Sequence, residues 1–94
     1  MTETMYHFRS RCILRDSGSR HVLMVYPSDG QNAYALQIND SFAMLFRRMY
    51  GTSFTQNDII LALTDLFSLP PDTALAEAAT ILRLWQEQDL ISIV

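Results

Sequence analysis

The first 38 residues show short runs of β-forming residues in which apolar side chains recur at every second position. This pattern predicts three strands, over 5–14, 21–26 and 33–38. Two segments rich in turn residues, 16–19 and 28–32, separate the strands. Because short turns join consecutive strands, the sequence predicts a three-stranded antiparallel meander.

From residue 40 onward the apolar residues recur at spacings of three and four, which predicts helices. Asn39 or Asp40 is suited to cap a first helix over 41–49, because a short side-chain oxygen accepts an orphan backbone N–H. Thr55 begins a capping-box-like start of a second helix, and a proline opens a third over 71–88. The last five residues fit either a short strand or a packed tail.

These elements predict a single α+β domain over residues 1–94. It is a three-stranded antiparallel meander followed by three helices, winged-helix-like, with the helices on one face of the sheet. Hydrophobic residues make up 49% of the chain and charged residues 18%, which is a globular composition. A chain of 94 residues is enough for one modest core.

The charge distribution argues against a nucleic-acid partner. The formal net charge is −3, and residues 51–94 carry one arginine against six acidic residues. An acidic helical half is poorly suited to binding phosphates. No span approaches the roughly 20 apolar residues of a membrane helix, and the first six residues do not form a secretory signal. The single cysteine cannot form an internal disulfide, so we predict a cytoplasmic protein without membrane contact.

No residue pattern in the chain predicts catalysis. His7 and His21 lack partners at metal-ligand spacing, and Cys12 lacks a second cysteine, so we interpret it as a small core residue. Asp58 and Asp65 share one helix face, which we interpret as solvated rather than as an acid–base pair. The glycines are isolated in turns and form no phosphate-binding loop. We therefore predict that the protein is not an enzyme and needs no cofactor.

Two further features have both a structural and a binding interpretation. Arg9, Arg11 and Arg15 share strand parity, which places them on the outer face of the sheet. A solvated surface is favoured there over a site for an acidic partner. Trp85 is in register with the apolar face of the third helix, so a core position is favoured over a binding hot spot.

The third predicted strand has an open edge, since a meander leaves its outer strands unpaired on one side. Ala33, Ala35 and Gln37 are small or polar on one face of this strand, so an incoming strand could lie there. Strand addition is the binding mode that such an edge permits.

From Ile38 onward, about 55 residues of the chain resemble the PqqD family of peptide-recognition domains. The first stretch that carries the resemblance begins Ile38-Asn39-Asp40-Ser41-Phe42-Ala43-Met44-Leu45-Phe46 and continues to Gly51. The second helix matches through Thr55, Ile59, Leu63 and Phe67. The third matches through Pro71, Glu77, Ile81, Leu82, Trp85, Leu90 and Ile91. Asp89 departs from the pattern, because the family commonly has glycine there.

This resemblance implies non-catalytic binding of the leader of a ribosomally made precursor peptide. The leader would be presented to a modifying enzyme, such as a radical-SAM enzyme, by a monomer or homodimer. It would add as a strand beside the third strand and pack against the third helix. The site residues implied on the strand are Tyr34, Ala35, Leu36 and Gln37. Those implied on the helix are Leu75, Ala79, Leu82, Arg83 and Gln86.

Two other classes of protein fit the same elements. A winged-helix DNA-binding regulator has three helices and a small sheet, but its recognition helix needs several basic or amide side chains. The predicted second helix has no basic residue, and the third has only Arg83. A small assembly subunit could instead self-associate through the open strand edge.

Overall fold

The computed structural model describes residues 3–9, 11–27 and 30–94. Within these residues the chain forms five strands and three helices. In chain order they are β1 (Tyr6–Phe8), β2 (Arg11–Ser17), β3 (Arg20–Tyr26), β4 (Tyr34–Ile38), α1 (Asp40–Met49), α2 (Gln56–Phe67), α3 (Pro71–Glu87) and β5 (Ile91–Ile93). The predicted α+β class, with a three-stranded meander followed by three helices, is confirmed.

The meander has the strand order β2-β3-β4, and both pairings are antiparallel. A two-residue loop joins β2 to β3, with Ser17 opposite Arg20. Gly18 takes a φ of 62° in this loop, a conformation that glycine adopts without steric cost. The second predicted turn, 28–32, includes Ser28 and Asp29, which lie outside the described residues.

The prediction of one strand over 5–14 is wrong. The structure divides this segment into β1 and β2, and β1 belongs to a separate two-stranded sheet with β5. Tyr6 lies opposite Ile93 in that sheet and also forms a bridge with Phe54. The strand is broken because β1 pairs with β5, at the other end of the chain. Of the two structures expected for the last five residues, the same pairing shows that residues 91–93 form a strand.

The helix boundaries follow local chemistry, and three predicted starts are confirmed. The Asn39 side chain accepts a hydrogen bond from the Phe42 N–H at 2.8 Å, which caps α1. Thr55 forms a complete capping box at the start of α2, and Pro71 opens α3. Asp89 follows α3 with a φ of 61°, so this aspartate takes the left-handed conformation that glycine commonly supplies after a helix.

The core lies between the helices and the inner face of the meander. Leu23 and Val25 of the central strand are fully buried, as are Ala78 and Trp85 of α3. The predicted core positions of Trp85 and Cys12 are therefore confirmed. Among the described residues, no helix is long and apolar enough to cross a membrane.

One of the three arginines predicted on the outer face of the sheet lies elsewhere. Arg11 and Arg15 are exposed in β2, with the parity opposite to that of buried Cys12. Arg9 lies in the break before β2, where its guanidinium forms an ion pair with Asp89 at 2.7 Å. Its position changed because β1 ends at Phe8 and the parity of a continuous strand does not extend across the break.

Candidate functional site

The meander has two outer strands, β2 and β4, and the edge of interest is that of β4. In the described part of the chain, β4 pairs with β3 on one side and with no strand on the other. Residues that flank a two-residue hairpin loop form a hydrogen-bonded pair, and such pairs alternate along an antiparallel ladder. The register from Ser17 opposite Arg20 to Leu23 opposite Leu36 therefore directs the N–H and C=O groups of Ala35 and Gln37 toward the open edge.

A groove runs beside this edge between β4, α1 and α3, and we call it the β4–α3 groove. It consists of two adjoining cavities of about 240 and about 450 Å³. Asn39, Phe42 and Leu84 line both cavities, so the two are direct neighbours. The smaller cavity lies against Leu36 and Gln37 of the edge strand, and the larger one extends toward the C-terminal end of α2.

The lining of the β4–α3 groove is largely apolar. Phe42, Phe67 and Ile81 are partly buried there, and Leu84 remains 44% exposed. Among the described lining residues of the two cavities, Glu77 is the only ionisable side chain. An apolar concave surface with a few polar groups is the usual character of a ligand site.

The orientation of the groove is fixed by contacts at its two ends. The Tyr34 hydroxyl donates to the Gln88 carbonyl at 3.2 Å, so the start of β4 lies beside the end of α3. Asn39, just after β4, shares the larger cavity with Thr80 and Glu77 nearer the middle of α3. The strand and the helix therefore run in opposite directions along the groove.

The structure brings only part of the sequence-predicted site together. Leu36 and Gln37 line the groove, and Tyr34 packs against the core with its hydroxyl on Gln88. Ala35 is exposed on the outer face of the sheet, while its backbone faces the open edge. The four predicted strand residues thus lie on the edge strand β4, and two of them, Leu36 and Gln37, line the groove.

None of the five predicted residues of α3 lines the groove, and their contact with a peptide stays a prediction. Leu82 is buried in the core, and Leu75 lines a different cavity with Tyr6, Gln56 and Ile60. Ala79, Arg83 and Gln86 are exposed. Successive helical residues are rotated by about 100°, so the predicted residues fall on one side of the buried row Ala74–Ala78–Trp85, and the groove residues fall on the other.

Among the lining residues that sequence reasoning missed are Ile81 and Leu84 of α3 and Gln88 just after the helix. One signal for them was present in the sequence, because Leu84 is a leucine outside the buried row of the helix. Leu75 gives the same signal on the opposite flank and is 53% exposed. Because an exposed leucine lies on each flank of the helix, the sequence does not show which flank faces the groove, and the tertiary packing determines it.

A cluster of charged side chains holds the start of α1 against the meander. The two ring nitrogens of His21 lie 2.5 Å from carboxylate oxygens of Asp16 and Asp40, and Arg47 donates to Asp16. Hydrogen bonds to Asp16 and then to Asp40 raise the pKa of His21. The hydrogen bond from His21 lowers the pKa of Asp16, and the Arg47 charge adds to this effect. The protonated imidazolium satisfies both carboxylates, because both of its nitrogens donate.

The pH dependence of this cluster can be stated with its sign. His21 stabilises the fold fully below its ordinary pKa of 6.5, and the contribution is lost as the pH rises through the raised value. Asp16 contributes above its ordinary pKa of 3.8, and its contribution is lost as the pH falls through the lowered value. The cluster therefore stabilises the fold most between pH 3.8 and pH 6.5, the ordinary pKa values of the two groups.

We expect the ring resonances of His21 to titrate with a midpoint above 6.5 in an NMR pH series. In the Asp40→Asn variant the midpoint is expected to fall, because one of the two carboxylates that favour the imidazolium is gone. The His21→Gln variant identifies the resonances. A midpoint at or below 6.5 in the unaltered protein would show that the cluster does not form in solution.

The described residues contain no arrangement that indicates metal binding. No group of three or more His, Cys, Asp or Glu side chains among them could hold a metal ion. Burial raises the pKa of the Cys12 thiol to about 11, so this residue is a protonated thiol at neutral pH and a poor nucleophile.

The fold and the groove define a small α+β domain with an open strand edge beside an apolar cleft. Comparison with protein-family models, with curated proteins and with solved structures finds no match to this chain. The β4–α3 groove is therefore the structural feature that bears most directly on function.

Proposed function

We propose that the protein binds an extended peptide without catalysing a reaction, by adding it as a strand to β4. The supporting observation is that the unpaired edge of β4 lies directly beside the apolar β4–α3 groove. An added strand would bond to the backbone groups of Ala35 and Gln37 and place alternate side chains in the groove. Backbone bonds supply affinity in this mode, and the side-chain pockets supply selectivity.

The resemblance to the PqqD family gives this peptide a biological role. In the proposed function the bound segment is the leader of a ribosomally made precursor, which the protein presents to a separate modifying enzyme. The groove supports this proposal because it lies along the C-terminal part of β4, from Leu36 to Ile38, and continues past Asn39 and along α3 to Glu77. An extended segment of several residues fits such a shape.

The test is an NMR titration of the isotope-labelled protein with a synthetic peptide. The peptide is the leader region of a candidate precursor, chosen from the short open reading frames that neighbour the gene of this protein. We expect saturable shifts of the Ala35 and Gln37 amides and of residues around Leu84 and Gln88. Shifts concentrated at Ala79 and Arg83 would contradict the site, and no shift at millimolar peptide would contradict the function.

The two exposed leucines of α3 provide a matched pair of variants for the same titration. Leu84→Ser removes apolar surface from the groove, and we expect it to weaken binding about fivefold. Leu75→Ser makes the same change on the opposite flank, where the residue is 53% exposed, and should leave the affinity unchanged. Equal losses in the two variants would indicate a general effect on the fold.

A further inference from the structure

Among the described residues, the β4–α3 groove carries a single ionisable side chain, and this suggests which peptides it selects. Glu77 lines the larger cavity between Thr73 and Thr80, and no ion pair to it is formed within the described residues. The wall on either side is apolar, with Ile81 and Leu84 on the side of β4. A cationic side chain that reached this point would meet one carboxylate and no competing arginine of the groove.

The spacing along α3 gives the position of that cationic residue in the peptide. Thr80 precedes Gln88 by eight residues, or about 12 Å at 1.5 Å per helical residue. An extended peptide covers about 13 Å in four residues, and residues four apart point to the same face. A peptide side chain four positions from the one opposite Gln88 therefore lies opposite Thr80, one helical turn from Glu77.

A long basic side chain suits this geometry better than a short one. Its methylene stem can lie along Ile81 and Leu84, and its charged end can reach the exposed carboxylate of Glu77. Glutamate or aspartate at the same peptide position would be repelled by Glu77.

We infer that the groove selects peptides in which two apolar residues and one lysine or arginine alternate with other residues, the basic side chain pairing with Glu77. This inference rests on the proposed function. Because β4 runs toward the Glu77 end, a peptide antiparallel to β4 carries the basic residue first, and a parallel peptide carries it last.

The test uses ten-residue acetylated and amidated peptides with serine flanks. The central five residues are Lys-Ser-Leu-Ser-Leu in one peptide and the reverse order in another. Matched peptides carry norleucine or glutamate in place of the lysine. The affinities are measured by fluorescence anisotropy for the unaltered protein and for the variants Glu77→Gln and Glu77→Lys.

We expect the lysine peptide of one order to bind about two- to fivefold more tightly than its norleucine counterpart, the range of an exposed ion pair. This preference should vanish in Glu77→Gln, reverse toward the glutamate peptide in Glu77→Lys, and diminish at high salt. Glu87→Gln is the control, because Glu87 is an exposed acid of α3 outside the groove lining.

The outcomes separate this inference from the proposed function. A lysine preference that persists in both Glu77 variants, or equal binding of all the peptides, would overturn the inference and leave strand addition standing. Failure of every peptide to bind the unaltered protein would overturn both. Glutamine has nearly the helix propensity of glutamate, so the Glu77→Gln variant is expected to fold.

Discussion

Replacing Trp85 with alanine is expected to lower the free energy of unfolding by about 3–5 kcal/mol. The indole is fully buried, and its ring centroid lies 5.1 Å from that of Phe8, 5.4 Å from that of Phe42 and 6.0 Å from that of Phe54. Trp85 therefore joins β1, α1 and α3 in one aromatic cluster. Alanine would leave a cavity where these three elements meet.

The matched control is Trp85→Phe. The indole N–H has no hydrogen-bond acceptor among the described residues, and a buried unsatisfied donor costs about 1–3 kcal/mol. Phenylalanine keeps an aromatic ring and removes this donor, so its loss should be much smaller than that of alanine. Trp85 is the single tryptophan, so both variants lack the fluorescence signal that would report on unfolding. Unfolding in urea is therefore followed by circular dichroism. A loss below about 1 kcal/mol for alanine would contradict the packing described.

The Ala35→Pro variant is expected to bind the leader peptide about thirtyfold more weakly than the unaltered protein. The proline removes a backbone N–H that faces the open edge and puts a ring in its place. An added strand would lose one hydrogen bond and leave a carbonyl unsatisfied, at a combined cost of about 2 kcal/mol. Binding is measured by anisotropy of a labelled peptide.

The same substitution spares the meander, because the Ala35 N–H does not bond to β3. Proline is tolerated in edge strands where its missing N–H would face outward. Ala35→Val is the control: it keeps the N–H and should retain binding. Unfolding curves for both variants establish that they are folded. Undiminished binding by a folded Ala35→Pro protein would exclude strand addition at β4.

Local chemistry explains which parts of the fold could be predicted from the sequence. The caps at Asn39 and Thr55 depend on residues three positions away, so their signals lie within one short window. The break at Arg9 depends instead on β5, which is far away in the chain and pairs with β1. No window around residues 5–14 contains that partner, and the segment therefore resembles one continuous strand.

The candidate site shows the same division between local and distant information. The edge strand could be predicted, because a meander always leaves its outer strands open on one side. The buried row of α3, Ala74–Ala78–Trp85, could also be predicted from its period. Which flank of that row faces β4 depends on how the helix is rotated against the sheet. The sequence prediction names Leu75, whereas the packing places Leu84 rather than Leu75 in the groove.

The pairing of β1 with β5 also has a consequence for the order in which the chain folds. His7 and Ser92 are opposite each other and 85 residues apart in sequence, so their pairing closes most of the chain into one loop. The entropy of closing such a loop is lost before the contact contributes, which makes the step slow. On the ribosome, β1 is synthesised before β5, and it cannot form this pairing until residues 91–93 have been translated. Until then Phe8 lacks its strand pairing to Ile91, and the nascent domain has an additional unpaired strand edge that is prone to aggregation.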